Sequence, residues 1–265
     1  MFARASGYAS HAEGYYTTAS GASSHAEGYY TQALKNQHVQ GHLNAEVTGG
    51  SDSGTAGTAF IIGNGSSSRS NAFRVTYAGD TYAKAAYNSS GADYAEFFEW
   101  EDGNPNNEDR RGYFVTLNND KIKIATSDDY ILGVVSGQPS VIGNSDEEWM
   151  GRYILDEFGC FITEEFEYQE KIHDPTTNET TFITKTGIKY KENPEYDVTQ
   201  KYIQRQDRPE WSAIGMLGML SVRDDGSCKV NGYCTITDKG IATAANNGYR
   251  VIKRIKDNVV KIIFK

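Results

Sequence analysis

The sequence predicts a mainly β protein, with a solenoid of short repeats at its N-terminus, a β neck after it, and a β-rich C-terminal domain containing one or a few short helices. Three observations support this fold class. A 14-residue motif recurs near the N-terminus, Gly and Tyr are abundant (27 and 18 residues) while Pro is rare (5), and later segments alternate apolar and polar side chains as strands do. The expected domains are residues 1–47, 48–92 and 93–265.

The repeat is visible in residues 6–19 (SGYASHAEGYYTTA) and 20–33 (SGASSHAEGYYTQA). Gly stands at every seventh position, which suits a coil of two short strands and two tight turns in which Gly takes positive φ. Because side chains alternate along a strand, Ala12 and Ala26 should point inward and the neighbouring His and Glu side chains outward. The sequence begins inside a repeat, so we expect further coils upstream.

The interior of such a coil would contain little more than Ala and Ser. One buried methyl group contributes about 0.8 kcal/mol, whereas ordering the backbone of one residue costs roughly 1–2 kcal/mol. Two coils therefore need further coils and burial against other chains, and the repeat predicts an oligomer. A trimer would stack His11 and His25 in rings. We expect side-chain ladders there rather than a metal site, and we expect no cofactor.

The remaining sequence favours strands. After residue 47 a Gly/Ser-rich stretch (48–58) precedes a hairpin pattern (71–82). In the C-terminal domain, residues 164–173 and 181–190 are typical of the two arms of a long charged hairpin that turns at residues 174–176. The other ranges predicted to form strands in this domain are 112–137, 212–221 and 249–264.

The charge is uneven along the chain. The formal net charge is −9, and all of it lies beyond residue 87, because the basic and acidic residues before that point cancel. An acidic second half argues against nucleic acid and anionic membranes as partners. No apolar stretch is long enough to span a bilayer. Three Cys residues without a CxxC motif indicate free thiols, with a Cys228–Cys234 disulfide as the open alternative.

Charge and aromatic content both change in residues 88–100 (NSSGADYAEFFEW). A helix beginning at Asp93 would gather Tyr94, Phe97 and Phe98 on one face. It would also place Asp93 and Glu96 one turn apart. If the aromatic side chains desolvate one carboxyl group, that group stays protonated as an acid while the other acts as a base. Such a pair can direct water at a nearby peptide bond, although acidic residues on a helix are commonly only solvated.

Two parts of the chain resemble known families. Residues 5–44 are similar in period, Gly spacing and small core residues to the head repeats of trimeric autotransporter adhesins, which also occur in phage fibres. Residues 87–265 resemble the intramolecular-chaperone autoproteolytic domain of phage neck appendages and tail spikes. The motifs that carry this second resemblance are DYAEFFEW (93–100), EDGNPNNEDRRG (101–112), RPEWSAIGMLG (208–218), VRDDGSCKVNGYC (222–234) and GIATAANNGYRVIKRI (240–255).

The resemblances imply a fold and a function. The first implies a trimeric left-handed β-roll. In the second family, the C-terminal domain drives trimerisation and folding of the fibre and is then released by self-cleavage at its own N-terminal edge. Carried over, the cleaved bond is Ala92–Asp93, and Asp93 and Glu96 are the catalytic carboxylates. Ala92 has no hydroxyl group, which favours carboxylate-assisted hydrolysis, while Ser89 and Ser90 remain alternative nucleophiles for an N–O acyl shift.

The resemblance also implies the partners and the location. It indicates a homotrimer in the tail or neck appendage of a phage or prophage virion, synthesised in the host cytoplasm. The upstream fibre segment is the folding client, and upstream regions contact the host cell surface. If a neighbouring chain completes the site, cleavage depends on correct assembly. The alternatives are a trimerisation foot that never cuts, a bacterial surface adhesin, and a receptor-binding or glycan-degrading tip.

Overall fold

The chain is described by a computed structural model that covers residues 2–50, 57–146, 151–173 and 180–265. Two compact units are present, the first formed by Met1–Tyr87 with Gly151–Tyr196 and the second by Asn88–Met150 with Asp197–Lys265. The division thus falls after Tyr87 rather than after residue 92. The segment Gly151–Tyr196, expected in the C-terminal domain, belongs to the unit of the repeats, because it packs as a separate hairpin outside the C-terminal sheet.

The repeats form parallel coils, each with a strand in two sheets. His11 pairs with His25, and His25 with His38, so equivalent residues of successive coils are neighbours. Ala26 is fully buried beside Val39 and Ile61, and Ala12 packs against them, as the alternation predicts. The strands are β1 (Arg4–Ala5), β2 (His11–Tyr15), β3 (Thr18–Ala19), β4 (His25–Tyr29), β5 (Gln32–Ala33) and β6 (His38–His42).

The glycines of the repeat have a different role from the one predicted. Gly14 and Gly28 have the predicted positive φ, 104° and 106°, but they lie inside strands, and the turn positions are held by Tyr16 and Tyr30 with φ of 53° and 54°. A Cβ atom on Gly28 would lie 2.1 Å from the carbonyl oxygen of Gly41 in the next coil. The regular Gly spacing therefore reflects the close approach of stacked backbones rather than the turns.

The neck continues the sheet of the repeats. Its first strand, β7 (Thr58–Asn64), pairs in parallel with β6. It is followed by antiparallel β8 (Asn71–Thr76) and β9 (Thr81–Ala83), which confirms the predicted hairpin. Of the Gly/Ser-rich stretch, residues 51–56 lie outside the described residues.

The charged hairpin is confirmed in both arms, β15 (Thr163–His173) and β16 (Thr180–Tyr190), which pair antiparallel over their whole length. Its turn at residues 174–176 lies outside the described residues. Glu170 on β15 lies 3.8 Å from Lys35 in the repeats. Within the first unit, the hairpin therefore contacts the coils through an ion pair.

The second unit is built on a ten-stranded sheet whose central strand pairs with three others. Its two hydrophobic clusters include Trp100, Ile214, Phe114 and Ile262, all almost completely buried. The strands are β10 (Asp93–Glu99), β11 (Phe114–Asn118), β12 (Lys121–Ile124), β13 (Gly133–Val135), β14 (Val141–Gly143), the central β17 (Trp211–Arg223), β18 (Tyr233–Ile236), β19 (Ala242–Ala245), β20 (Tyr249–Lys256) and β21 (Val259–Phe264).

The helix predicted to begin at Asp93 is wrong, because β10 occupies that segment. The strand pairs antiparallel with β17 and parallel with β14, and its burial alternates, with Asp93, Ala95 and Phe97 inside and Tyr94 exposed. Hydrogen bonds to the strands on both sides satisfy the backbone N–H and C=O groups of β10, which in a helix would bond to one another. In the described part of the chain, the one helical segment is a 3-10 turn at Arg205–Asp207, and no helix there is long and apolar enough to span a membrane.

Candidate functional site

The Ala92–Asp93 peptide bond lies where β10 begins, between two backbone segments. The Met219 N–H donates to the Ala92 carbonyl oxygen at 3.1 Å, and the Ser140 N–H donates to the Asp93 carbonyl oxygen at 2.7 Å. Gly218, opposite Asp93 in the ladder, has φ of 120°, and a Cβ atom there would lie 2.3 Å from the Ala92 oxygen. Both carbonyl groups that flank the Asp93 amide are therefore fixed by main-chain donors.

The Asp93 side chain is buried against this bond, with 6% of its surface exposed. Burial raises the pKa of its carboxyl group, because the charged form loses hydration. The Ser136 hydroxyl, the Asp93 amide N–H and the charge of Lys261 oppose this pKa rise without cancelling it. Oδ2 is buried without a hydrogen-bond partner. The carboxyl group is thus biased towards its protonated form and lies next to the nitrogen that would leave on cleavage.

Glu96 lies on the opposite face of β10 from Asp93, half-buried. Because successive side chains alternate along a strand, positions three apart point in opposite directions. The Tyr94 hydroxyl donates to Glu96 Oε1 at 2.5 Å, and this hydrogen bond is the main cause of the raised pKa of Tyr94. The structure therefore does not bring the two predicted carboxylates together within one chain.

The two serines upstream of the bond are engaged as hydrogen-bond acceptors. Ser89 Oγ accepts from the Gly91 N–H at 3.1 Å, and Ser90 Oγ accepts from Gln138 Nε2 at 3.1 Å. Their own peptide bonds precede the Ala92–Asp93 bond, so an acyl shift at either serine would produce a different new N-terminus. Ala92 offers only its carbonyl group to the site.

An open groove of about 640 Å³ exposes this segment to solvent. Asp93 and Ser136 line it together with the basic side chains of Arg111, Arg223 and Lys261. A groove of this volume admits water to the Ala92 carbonyl, which hydrolysis requires. Arg111 and Arg223 form ion pairs with Asp109, which also lines the groove.

The sequence reasoning missed the residues that surround the bond. Ser136 and Lys261 are far from Asp93 in the sequence, and nothing in their local pattern marks them. Gly218 carried a weak signal, since it follows Met216 and Leu217 inside a predicted strand, where Gly commonly marks a close backbone approach. The sheet pairing of β10 with β17 is what brings Gly218 and Met219 to the bond.

The three cysteines are free thiols in the structure. Cys228 and Cys234 are buried near each other, and burial raises the pKa of their thiols to about 12 and about 11. Thiols with such pKa values are poor nucleophiles at neutral pH, because the thiolate is the reactive form. Neither cysteine is suited to cleave the bond.

The first strand of the second unit begins at a peptide bond held by main-chain donors beside a buried carboxyl group. The chain belongs to the Peptidase_G2 family, the IMC autoproteolytic cleavage domain, whose model matches residues 33–260. It therefore carries an autocatalytic peptidase domain that acts once on its own chain.

The chain is also similar to proteins of Bacillus phages and of Bacillus subtilis. The chain is 35% identical over 160 residues to the preneck appendage protein of Bacillus phage PZA, covering 59% of this chain and 16% of the relative. It is 35% identical over 177 residues to the putative phage-related protein YobO of Bacillus subtilis strain 168, covering 65% of this chain and 20% of the relative. The chain spans about a sixth of the length of the phage relatives that it matches.

The fold is shared with a solved structure, the pre-mature bacteriophage phi29 gene product 12. That structure superposes on 99% of this chain with a TM-score of 0.62 and 20% identity, and this chain covers 31% of it. The likeness establishes the mainly β fold.

Proposed function

We propose that this chain is the C-terminal part of a trimeric phage or prophage appendage, and that its second unit promotes trimerisation and folding of the upstream fibre before it is released by hydrolysis of the Ala92–Asp93 bond. The observation that carries the proposal is the buried Asp93 carboxyl group against the amide of that bond. The protein would be made in the host cytoplasm and reside in the virion, where upstream regions contact the host surface. This role needs neither nucleic acid as a partner nor insertion into a membrane.

The trimer is supported by the repeats. The described coils bury a core of three Ala, one Val and one Ile. The free energy gained by burying these side chains is small compared with the entropic cost of ordering the backbone of the coils. Tyr15 and Tyr29 form an exposed stacked column, each with 40% of its surface accessible. Burial of this column against other copies of the chain, in a left-handed trimeric roll, would supply the missing apolar area.

The hairpin of β15 and β16 is the part of the chain after the cleaved bond that packs with the repeats. Cleavage alone leaves its ion pair between Glu170 and Lys35 intact. After cleavage, the hairpin therefore stays bound to the repeats through non-covalent contacts, and full release requires these contacts to break.

The chemistry begins with water in the groove. Its oxygen attacks the Ala92 carbonyl carbon while a carboxylate base accepts one of its protons. The Met219 N–H, 3.1 Å from the carbonyl oxygen, stabilises the negative charge that develops there. The Asp93 carboxyl group donates its proton to the Asp93 nitrogen, the C–N bond breaks, and the products are an Ala92 carboxyl group and a free Asp93 amino group. The base returns its proton to the Asp93 carboxylate.

Glu96 of a neighbouring subunit supplies the base. Within one chain, Glu96 faces away from Asp93, so the two carboxyl groups meet only if the outer face of one β10 meets the groove of another subunit. A site completed in this way exists only in the assembled oligomer, and cleavage then reports correct assembly.

Co-expression of two inactive chains tests this arrangement. We expect Asp93→Ala and Glu96→Gln chains each to stay uncut alone. In mixed trimers, an intact Asp93 of the Glu96→Gln chain meets an intact Glu96 of the Asp93→Ala chain. With equal expression, about two thirds of the Glu96→Gln chains in mixed trimers should then be cut, since each chain of a cyclic trimer has one donor neighbour. A tag on one chain identifies mixed trimers, and mass spectrometry identifies the fragment beginning at Asp93.

Four results contradict the proposal in different ways. Mixed trimers that form and stay uncut rule out a site shared between subunits. Cleavage of the Asp93→Ala chain at the unaltered rate removes Asp93 from the mechanism, whereas the same uncut migration of the unaltered and Asp93→Ala chains favours a trimerisation foot that never cuts. A fragment that begins at Ser89 or Ser90 assigns the reaction to an acyl shift at that serine.

The pH dependence of cleavage tests the acid role of Asp93. Because Asp93 acts in its protonated form, the rate should fall as the pH rises through its pKa. The Ser136 hydroxyl lowers this pKa by donating to the ionised carboxylate. Ser136→Ala should therefore raise the pKa and move the alkaline limb of the pH–rate profile to higher pH. Ser221→Ala, in the same groove, should leave the limb in place, and an unmoved or downward-shifted limb in Ser136→Ala would refute the assignment.

A further inference from the structure

The coil stacking places two imidazole rings directly over each other on the outer face of the repeats. His25 and His38 are partners in the parallel ladder between β4 and β6. Their ring centroids lie 4.5 Å apart with an angle of 3° between the rings. The Nε2 atoms of the two rings lie on the same side of this stack.

Glu27 lies on the same strand face as His25, two residues further on. Its Oε2 is 3.9 Å from His25 Nε2, and its Oε1 is 3.6 Å from His38 Nε2. Both distances are too long for a hydrogen bond, so the carboxylate spans the two rings without bonding to either. One donor atom from each of the three residues lies within 4.8 Å of the other two.

This arrangement occurs at one pair of coils in the described residues. Glu13 is the equivalent of Glu27 in the preceding coil, where the ring pair is different, because His11 and His25 meet edge to face at 78°. In the following coil the equivalent position is Gln40, whose amide is a weaker ligand than a carboxylate. The ladder alone explains the stacked rings, but it does not explain a carboxylate held between their nitrogens.

We infer that His25, Glu27 and His38 form a binding site for a divalent transition-metal cation, with Zn²⁺ as the best match. Two imidazole nitrogens and one carboxylate oxygen are a known zinc ligand set. Bonds of about 2.0–2.2 Å bring such donors closer together than they stand here, and the half-exposed side chains have room for this small movement. The fourth position is open to water.

Metal binding would replace one weak contact. His11 Nδ1 lies 3.4 Å from His25 Nε2, at the long limit of a hydrogen bond, and His25 exchanges this contact for the metal. The bound cation would link the second and third coils, whose core is small. Because it binds the folded coils and not the unfolded chain, it should raise the melting temperature as its concentration rises.

The test uses the full chain, stripped with EDTA and titrated with Zn²⁺ by calorimetry at pH 7.4. We expect one ion per chain, a melting temperature that rises with Zn²⁺, and the visible absorption of tetrahedral Co²⁺ when Co²⁺ replaces it. Glu27→Gln and His38→Ala should each lower the affinity at least about tenfold. Glu13→Gln is the matched control and should bind as the unaltered chain does.

Two outcomes would overturn the inference. One is the absence of saturable binding, or equal binding by the Glu27→Gln and His38→Ala chains. The other is loss of the ion in Cys228→Ser instead, which would place it at the second group of potential ligands, Asp224, Asp225 and Cys228. Both leave the cleavage proposal untouched, since that proposal involves no metal.

Discussion

Gly218→Ala should slow self-cleavage by a factor of about 10²–10³, the usual effect of losing one oxyanion donor. Gly218 has φ of 120°, which a residue with a Cβ atom rarely adopts, and its Cβ would lie 2.3 Å from the Ala92 carbonyl oxygen. Either the Ala92–Asp93 bond or the backbone at residues 218–219 must move, and the Met219 N–H loses its position. The measurement is the rate at which the fragment beginning at Asp93 appears on a denaturing gel, with its mass confirmed.

The matched control is Gly226→Ala in the same unit. Gly226 also has positive φ, 89°, but the nearest atom to its Cβ would be the Asp257 carbonyl oxygen at 3.7 Å. Gly226→Ala therefore introduces comparable backbone strain without contacting the Ala92–Asp93 bond, and its cleavage rate should stay close to that of the unaltered chain. Equal losses in both variants would mean that strain in the sheet, rather than the carbonyl contact, controls the rate. Normal cleavage by Gly218→Ala would remove Met219 from the mechanism.

Gly28→Ala should disrupt the coils of the repeat. Gly28 has φ of 106°, and its Cβ would lie 2.1 Å from the Gly41 carbonyl oxygen in the next coil. Overpacking costs about 1–3 kcal/mol and backbone strain about 1–3 kcal/mol, so we expect a loss of about 2–6 kcal/mol in the unfolding free energy of the first unit. Hydrogen exchange of the amides in residues 11–42, with thermal unfolding, measures this loss.

Gly79→Ala provides the comparison for this experiment. Gly79 belongs to the same unit and has φ of 91°, but no atom would lie within 4 Å of its Cβ. Gly79→Ala introduces backbone strain without a steric clash, so the amides of residues 11–42 should stay protected from hydrogen exchange. If the amides of residues 11–42 are as well protected from hydrogen exchange in the Gly28→Ala chain as in the unaltered chain, the close stacking of the coils is not essential.

The sequence by itself determined the elements whose pattern is local. The repeat HAEGYYT fixed where the coil strands lie, because equivalent residues of a solenoid must stack on one another. Alternation of apolar and polar side chains gave the arms of the charged hairpin and the final strands, since a strand that packs on one face needs no distant information to be recognised. The cleaved bond and the role of Asp93 came from family motifs, and they remain proposals.

Tertiary structure alone decided the segment that follows the bond. Tyr94 and Phe98 are spaced as on a helix, but the backbone of residues 93–99 pairs with β17 and β14, and that pairing set the strand. The same pairing separated Asp93 from Glu96 and brought Met219 to the bond, while the pairing of β13 with β17 placed Ser136 near Asp93. Contacts between residues that are far apart in the chain leave no local periodicity, so a single sequence indicated the candidate carboxyl group but not the atoms that surround it.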